Sequence, residues 1–513
     1  MSYDVAIVGG GPNGLAAAAR LAAAGRSVIV LERRAAFGGL SAAIEFHPGY
    51  RAPGILFDEG LVSPAVAERL GLAAHGLAFT EPAPVYLAEE GGRGILLDRD
   101  PARAAGELDA DAEAYSAYRA FFARLAPLVE QIVTSPPPSL TPAALGDYRE
   151  LARLALGAWK LGRRELLELL RVAPMCVADF LNERFRSPLL VAGLAAPAVA
   201  ATWAGPWSAG TNTNLILHEA APGRPVAGGP PALVAALERA ARAAGAELRS
   251  GAEVARIRLD GGRAAGVELA GGERLDAAHV VATSDPKRAF LDLVEPGALP
   301  IGIENEFRRI RMRGTAAKVH LALSGELEIA ARRGERFAAI RVGGGHVDEL
   351  ERAFDAVKYR QISPRPHLEI RVPTVHDASL APSGHHVVSI LVSYAPVELA
   401  GGWDGRRNAE LLDAVLERLA PLAPRLASRI VAAQVLSPAD LAREFALTGG
   451  QLHHGEPALD QMLVMRPTPS AARYRTPVPG LWLGGSGSHG GGGVNPAPGL
   501  LAAEALLAAP RAR

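Results

Sequence analysis

The sequence predicts an α/β protein: a Rossmann-type dinucleotide-binding sheet built from separated stretches of chain, with an inserted α+β domain. Three observations predict it. A strand–turn–helix–strand unit opens the chain, a helix and β-meander ending in a buried strand lie near its middle, and a glycine-dense strand–loop–helix closes it.

The opening unit is YDVAIVGGGPNGLAAAARLAAAGRSVIVLER. Residues 3–8 form an apolar run of buried-strand type, residues 15–24 an alanine-rich helix closed by Gly25, and residues 27–31 a second strand ending at Glu32. Between them Gly9, Gly11 and Gly14 give G-x-G-x-x-G. Gly9 permits the tight turn, Gly11 lets the backbone approach a pyrophosphate, and Gly14 allows close helix–strand packing. The phosphates belong at the helix N-terminus, where free N–H groups and the helix dipole favour an anion. Glu32 is placed to accept hydrogen bonds from a ribose diol. A bare G-x-G-x-x-G is a weak signal, but here strand, helix, second strand and acidic residue fall in register. Gly38 and Gly39 follow the second strand and offer a second loop to the phosphates, a pattern more typical of FAD than of NAD enzymes. No second G-x-G-x-x-G follows a strand elsewhere in the chain.

The middle block, residues 228–286, carries a helical pattern over residues 233–244. Two alternating strands with Gly-Gly turns follow at residues 253–259 and 264–269, and HVVAT reads as a buried return strand. Val254 stands at the meander entry, as either a backbone contact to an adenine or a plain strand valine. The closing block GLWLGGSGSHGGGGVNPAPG holds nine glycines in twenty residues between an apolar run and a helix. Glycine loses the most entropy on ordering, so this density in an ordered segment implies that backbone itself must approach a ligand.

Two insertions separate these blocks, giving expected segments 1–84, 221–290 and 476–513 for the dinucleotide domain and 85–220 and 291–475 for the substrate domain. The first insertion is mostly helical in pattern. Its amphipathic stretch at residues 150–174, with Trp159 near Lys160, Arg163 and Arg164, reads as a lid helix with a solvated basic face or as a membrane-surface helix. The second alternates strands (AAKVHLALS, HLEIRVP, HHVVSILVSY) with a helix at residues 407–419.

Composition bounds the function. At 513 residues the chain exceeds one ordinary core; it is 49% apolar and 21% charged with zero formal net charge. No clustered basic surface is expected, so nucleic acid is not an expected partner. The single cysteine, Cys176, excludes an intrachain disulfide and a CxxC redox pair, and fits a reducing compartment. No metal site is expected. No apolar run reaches the length of a membrane span: residues 189–201 are too short and broken by Pro197. With no basic, cleavable leader before the first strand, a cytoplasmic protein is expected, with contact at one membrane face as the alternative.

Taken together, the chain resembles the phytoene dehydrogenase-like FAD oxidoreductases, relatives of carotenoid desaturases, isomerases and ketolases and of amine oxidases. It is most similar to the branch named for a pyridine nucleotide-disulphide oxidoreductase-type domain. The similar stretches are the opening unit, the 228–286 block, AGPWSAGTNTNLILHE, APSGHHVVSILVSYAP and the segment from FALTGGQLHHGE to GSHGGGGV. The resemblance implies a fold of the glutathione-reductase-2/amine-oxidase kind. It implies FAD contacts at Gly9, Gly11, Gly14, Glu32, Gly38, Gly39, Val254, Gly485, Ser486, Gly493 and Val494, and Pro12, Asn13, Arg33 and Leu40 join that set by adjacency. Two departures stand out. GGL replaces the family's GGR or GGA, and Gly490 stands where relatives often have proline, which is expected to loosen that turn.

The resemblance further implies hydride transfer to flavin N5 from an allylic or unactivated C–H of a long apolar substrate, with oxygen or a quinone as acceptor. His489, Asn495 and His454 are the candidate catalytic side chains. His453, Arg466 and Arg473 are weaker ones, and each of these has loop-pinning as its plain alternative. Other readings are a redox-neutral flavin isomerase, an amine oxidase and a non-catalytic lipid carrier of the GDP-dissociation-inhibitor fold. No aromatic pair that would cage an amine stands out, and a carrier predicts a degraded glycine motif, which this chain lacks.

Overall fold

The computed structural model describes residues 2–56, 62–139, 142, 145–221 and 223–509. Among these, two seven-stranded sheets organise the chain.

In the first sheet, strands Glu247–Arg249, Val28–Leu31, Ser2–Val8, Arg274–Ala282 and Leu481–Leu483 run parallel in that spatial order. Strand Arg274–Ala282 has two partners along one edge. Its first residues pair antiparallel with the meander strand Arg263–Leu269, and its last three pair with Leu481–Leu483. All three sequence blocks therefore meet on this strand. Both faces are covered, which explains strands that are apolar at nearly every position. Val5, Ile7, Val28 and Val30 pack under helices Pro12–Ala23, Gly229–Ala243 and Ala497–Ala508. Ala6, Val8, Ile29 and Leu31 pack against the meander, Phe290 and Phe307.

The second sheet runs Ile430–Leu436, Ala316–Leu323, His386–Ser393, His367–Arg371, Ala339–Val342, Val85–Leu87 and Ile95–Leu97. The short strand Val85–Leu87 pairs in parallel with Ala339–Val342, so stretches far apart in sequence share one sheet. One face is ordinary core: Val319, Ile340, Ile370 and Ile390 pack against Leu411, Val415 and Leu419 of helix Gly405–Leu419. The alternate residues carry Lys318, Arg341, Glu369 and Arg371. Helix Pro188–Val199 covers that polar face, and Arg341 Nη1 donates to its Gly193 carbonyl at 2.5 Å.

The amphipathic stretch at residues 150–174 is not one helix. Helix Leu145–Leu161 ends before Gly162, whose φ of +87° no continuing helix allows, and a second helix spans Arg163–Val172. Amphipathic periodicity carries through the break, which hides it from pattern reading. Among the described residues no helix is long and apolar enough to cross a membrane.

Candidate functional site

The G-x-G-x-x-G turn is shaped by contact as much as by conformation. Gly9 adopts φ +105°, and a Cβ there would stand 2.5 Å from Thr283 Oγ1. A Cβ on Gly14 would overlap the Gly9 carbonyl oxygen, so helix Pro12–Ala23 can pack this closely only with glycine there. Gly11 is different: a Cβ would meet nothing within 4 Å, because this residue faces open space at the helix N-terminus. No side chain caps that terminus, which leaves its N–H donors available to an anion.

These elements wall a cavity of about 160 Å³ with Glu32, Arg34, Gly39, Val254, Ser486 and Gly493. Glu32 is buried and fixed: Oε2 accepts from Gly10 N–H at 2.8 Å and Oε1 from Arg34 N–H at 2.9 Å. Each carboxylate oxygen keeps further lone-pair capacity toward the cavity. Arg33 lines the same space while its guanidinium donates to the Arg443 and Glu444 carbonyls. Pro12, Asn13, Leu40 and Gly11 line it too.

Gly14, Gly38, Gly485 and Val494 do not line this cavity and act behind its wall. Gly38, at φ +114°, donates to the Gly10 carbonyl at 2.8 Å and holds the second loop against the first. A Cβ on Gly485 would overlap the Thr283 carbonyl. Val494 is buried core between the helices. His454 does line the cavity; burial pushes its imidazole below the usual histidine range, and Nδ1 is buried with no hydrogen-bond partner among the described residues.

A second cavity of about 310 Å³ adjoins the first, and Leu56, Gly493 and Asn495 line both. Its walls are largely apolar, among them Ile132, Pro197, Leu217, Leu391, Leu452 and Met462. None of its described lining residues is Phe, Tyr or Trp.

The catalytic candidates of the glycine tail are engaged with backbone. His489 is buried and its Nε2 donates to the Ile132 carbonyl at 2.8 Å. Burial holds the ring below the usual histidine range, so it is neutral near pH 7. Asn495 donates from Nδ2 to the Gly490 carbonyl at 2.8 Å and accepts at Oδ1 from Ala497 N–H at 3.0 Å, capping the last helix. Gly490 is not loose. It sits at φ +72°, which proline cannot adopt, and a Cβ would overlap the Val133 carbonyl.

Arg466 ties the tail to the QLHHGE segment. Nη2 donates to the His453 carbonyl at 2.6 Å and the Ser486 carbonyl at 2.9 Å, and Nε to the Ser488 carbonyl at 3.3 Å. Burial lowers this guanidinium to about 10, still charged at neutral pH. His453 lines the larger cavity, lowered to about 4 by burial. Arg473 lies apart, paired with Asp147 and Glu150 of helix Leu145–Leu161.

Sequence reading missed Lys318, Arg341, Arg371 and His218, which all line the larger cavity. A signal existed for Lys318 and Arg371: polar residues alternate with apolar ones in AAKVHLAL (Lys318, His320) and HLEIR (His367, Glu369, Arg371). Among the described residues no three His, Cys, Asp or Glu are grouped to hold a metal ion.

The residues of the smaller cavity fit FAD. They offer uncapped helix N–H donors, a glycine with open space before it, a positioned carboxylate and a second glycine loop. Comparisons agree. Residues 13–507 match the family described as flavin containing amine oxidoreductase. The chain is 31% identical to pyridine nucleotide-disulfide oxidoreductase domain-containing protein 2 of Mus musculus, over 98% of this chain and 93% of that one. It is 29% identical to hydroxyneurosporene desaturase of Cereibacter sphaeroides, over 98% and 97% of the two chains. Its fold is similar to cyclohexylamine oxidase of Brevibacterium oxydans, with a TM-score of 0.58 at 18% identity over 98% of each chain.

Proposed function

The chain belongs to the flavin containing amine oxidoreductase family and is an FAD oxidoreductase, and on that premise we propose that it oxidises a C–H bond of an apolar, terpenoid- or polyene-like small molecule. One observation carries this reading. The larger cavity, with mostly aliphatic walls, adjoins the dinucleotide site and shares Leu56, Gly493 and Asn495 with it.

When bound, the flavin supplies the centre that accepts two electrons and a proton's worth of hydrogen. The chain's part is binding and exclusion of water. With the cofactor bound, the backbone at Gly9, Gly11 and Gly39 and the helix N-terminus would hold the phosphates, and Glu32 would hold the ribose. The Ser486–Gly493 loop, pinned by Arg466, His489 and Asn495, keeps a backbone wall between the two cavities. His453 and His489 stay neutral through burial, so neither presents a positive charge to an apolar substrate. An amine substrate is less well served. The described lining offers no Phe, Tyr or Trp ring and a single carboxylate, Glu369, already bonded to Arg341.

The test is anaerobic mixing of the yellow holoprotein with candidate polyenes and amines. Bleaching by a polyene supports the proposal. Bleaching only by amines overturns it. Isomer formation that needs prior dithionite reduction replaces it with the redox-neutral isomerase.

Delivery of such a substrate is served by helices Leu145–Leu161 and Arg163–Val172. They expose Leu156, Trp159, Leu167 and Leu170, with Trp159 at 76%, beside Lys160, Arg163 and Arg164. Apolar side chains among basic ones match an anionic membrane surface.

A further inference from the structure

We infer that His454 is a flavin-positioning residue: its imidazole hydrogen-bonds to the ribityl chain of bound FAD, where the smaller cavity meets the glycine tail. On this assignment His454 serves the cofactor and takes no proton from substrate.

In QLHHGE two adjacent histidines part company. His453 lines the larger cavity and His454 the smaller. The local cause is the backbone of His454, at φ +56°, in the left-handed region that residues other than glycine seldom occupy. Such a conformation persists only where its surroundings hold it, and it gathers at ligand sites. Here the hold is explicit. The buried Gln451 side chain accepts from His453 N–H at 2.7 Å, and Arg466 Nη2 donates to the His453 carbonyl at 2.6 Å. The His454 carbonyl in turn packs on the tail, where a Cβ on Gly487 would stand 2.7 Å from it.

The polar groups around the smaller cavity are unevenly used. Thr283 Oγ1 donates to the Val8 and Gly9 carbonyls, and the Asp285 carboxylate accepts from Thr448 and from Arg288 N–H. Asn13 and Asn495 are spent on the tail and the last helix. His454 Nδ1 and Ser284 Oγ differ. Both residues line the cavity, and both atoms are buried without a hydrogen-bond partner among the described residues. Buried polar atoms are nearly always paired, so two orphans in one cavity wall mark a surface built to meet a polar ligand.

Position selects the part of FAD that His454 meets. Glu32 serves the ribose, whereas Gly493 and Asn495 belong to both cavities, and the reacting ring belongs beside them if the larger cavity holds substrate. That clause rests on the proposed function. His454 abuts the same tail, which assigns it to the flavin half of the cofactor. Charge agrees. Burial keeps the ring below the usual histidine range against the pull of Asp285, and the Arg466 charge adds to burial. A neutral imidazole carries one donor and one acceptor, a match for hydroxyl groups; a diphosphate would call for a cation.

The experiment dilutes purified holoprotein and reads released flavin by its fluorescence, which gives a dissociation constant for FAD. ADP, the adenosine half alone, competes for the same site. His454→Leu should weaken FAD about tenfold, as loss of a buried hydrogen bond does, and change ADP by less than about twofold. Its Tm in saturating ADP should match that of the unaltered protein, because Nδ1 has no partner among the described residues to lose. His454→Gln keeps a donor and an acceptor and should recover most of the affinity for FAD. An unchanged FAD constant in His454→Leu overturns the inference. So does equal weakening of FAD and ADP, which would put the contact on the diphosphate. A fall in Tm with ADP bound also overturns it, since His454 would then hold the fold. His454→Ala repeats the measurement if His454→Leu gives no soluble protein. Flavin bleaching reports separately: no bleaching by any polyene, with FAD alone weakened in His454→Leu, would sink the proposed oxidation and leave this contact standing.

Discussion

The backbone N–H of Gly499 donates to Oδ1 of Asn13 at 2.9 Å, across 486 residues of sequence. The two backbones pass so close that a Cβ on Gly499 would overlap the Asn13 carbonyl. Asn13 also reaches Ser486 Oγ with Nδ2 at 3.3 Å. One side chain of the first helix thus holds both the glycine tail and the last helix, and with them the wall shared by the two cavities.

Asn13→Ala should therefore cost about 1–3 kcal/mol, because it leaves the buried Gly499 N–H without a partner. Loss of flavin should accompany the drop in Tm. Asn13→Asp, which keeps the acceptor, should retain more of both. Equal stability of Asn13→Ala and the unaltered protein would show that helix contacts alone join the chain ends.

Gly11 and Gly14 should separate binding from folding. Gly11→Val projects into open space, so it should abolish flavin retention while the apoprotein keeps its secondary structure and cooperative melt. Gly14→Val drives a side chain into the Gly9 carbonyl, and soluble, folded protein should be lost. Full flavin content in purified Gly11→Val would refute the assignment of this turn.

Arg466→Met should destabilise the glycine tail by about 3–5 kcal/mol, since several carbonyls lose a charged donor in a buried site. Arg466→Lys should recover little, because one ammonium cannot span the positions of a planar guanidinium. Limited proteolysis and the absorbance of bound flavin would read the effect.

Acid should weaken the protein through its enclosed histidines. Burial carries His218 and His453 down to about 4 from an ordinary 6.5. Between those values the unfolded chain binds the protons and the folded one does not, so stability falls as pH drops from 6.5 toward 4. Both rings border a cavity that leaves them partly solvated, so the combined loss is about 1–3 kcal/mol. Urea midpoints at pH 7.5, 6 and 5 should fall in that order. His453→Gln should flatten the trend; an unchanged slope would remove His453 from the account.

The exposed helix pair should bind vesicles. Flotation with anionic phospholipid vesicles should carry the protein upward, and Trp159→Ser with Leu170→Ser should reduce that fraction severalfold without changing Tm. Equal flotation of the variant would assign the contact elsewhere.

Much of the smaller cavity was legible in the chain. The spacing of Gly9, Gly11 and Gly14, the acidic residue at 32 and the loop at Gly38 are local, and local spacing fixes backbone shape. Roles were less legible than positions. His489 and Asn495 stand out as polar residues in a glycine loop, yet both spend their hydrogen bonds on backbone. The polar wall of the larger cavity was illegible as a site, since Lys318, Arg341 and Arg371 come together only through strand register.

The sequence by itself determined the dinucleotide unit, its three blocks and the need for glycine in the tail, because periodicity, turn chemistry and close backbone approach are written in consecutive residues. Tertiary structure alone decided which side chains share a cavity. Pairing Val85–Leu87 with Ala339–Val342, and Asn13 with Gly499, depends on contacts between residues hundreds apart, and no local pattern encodes them.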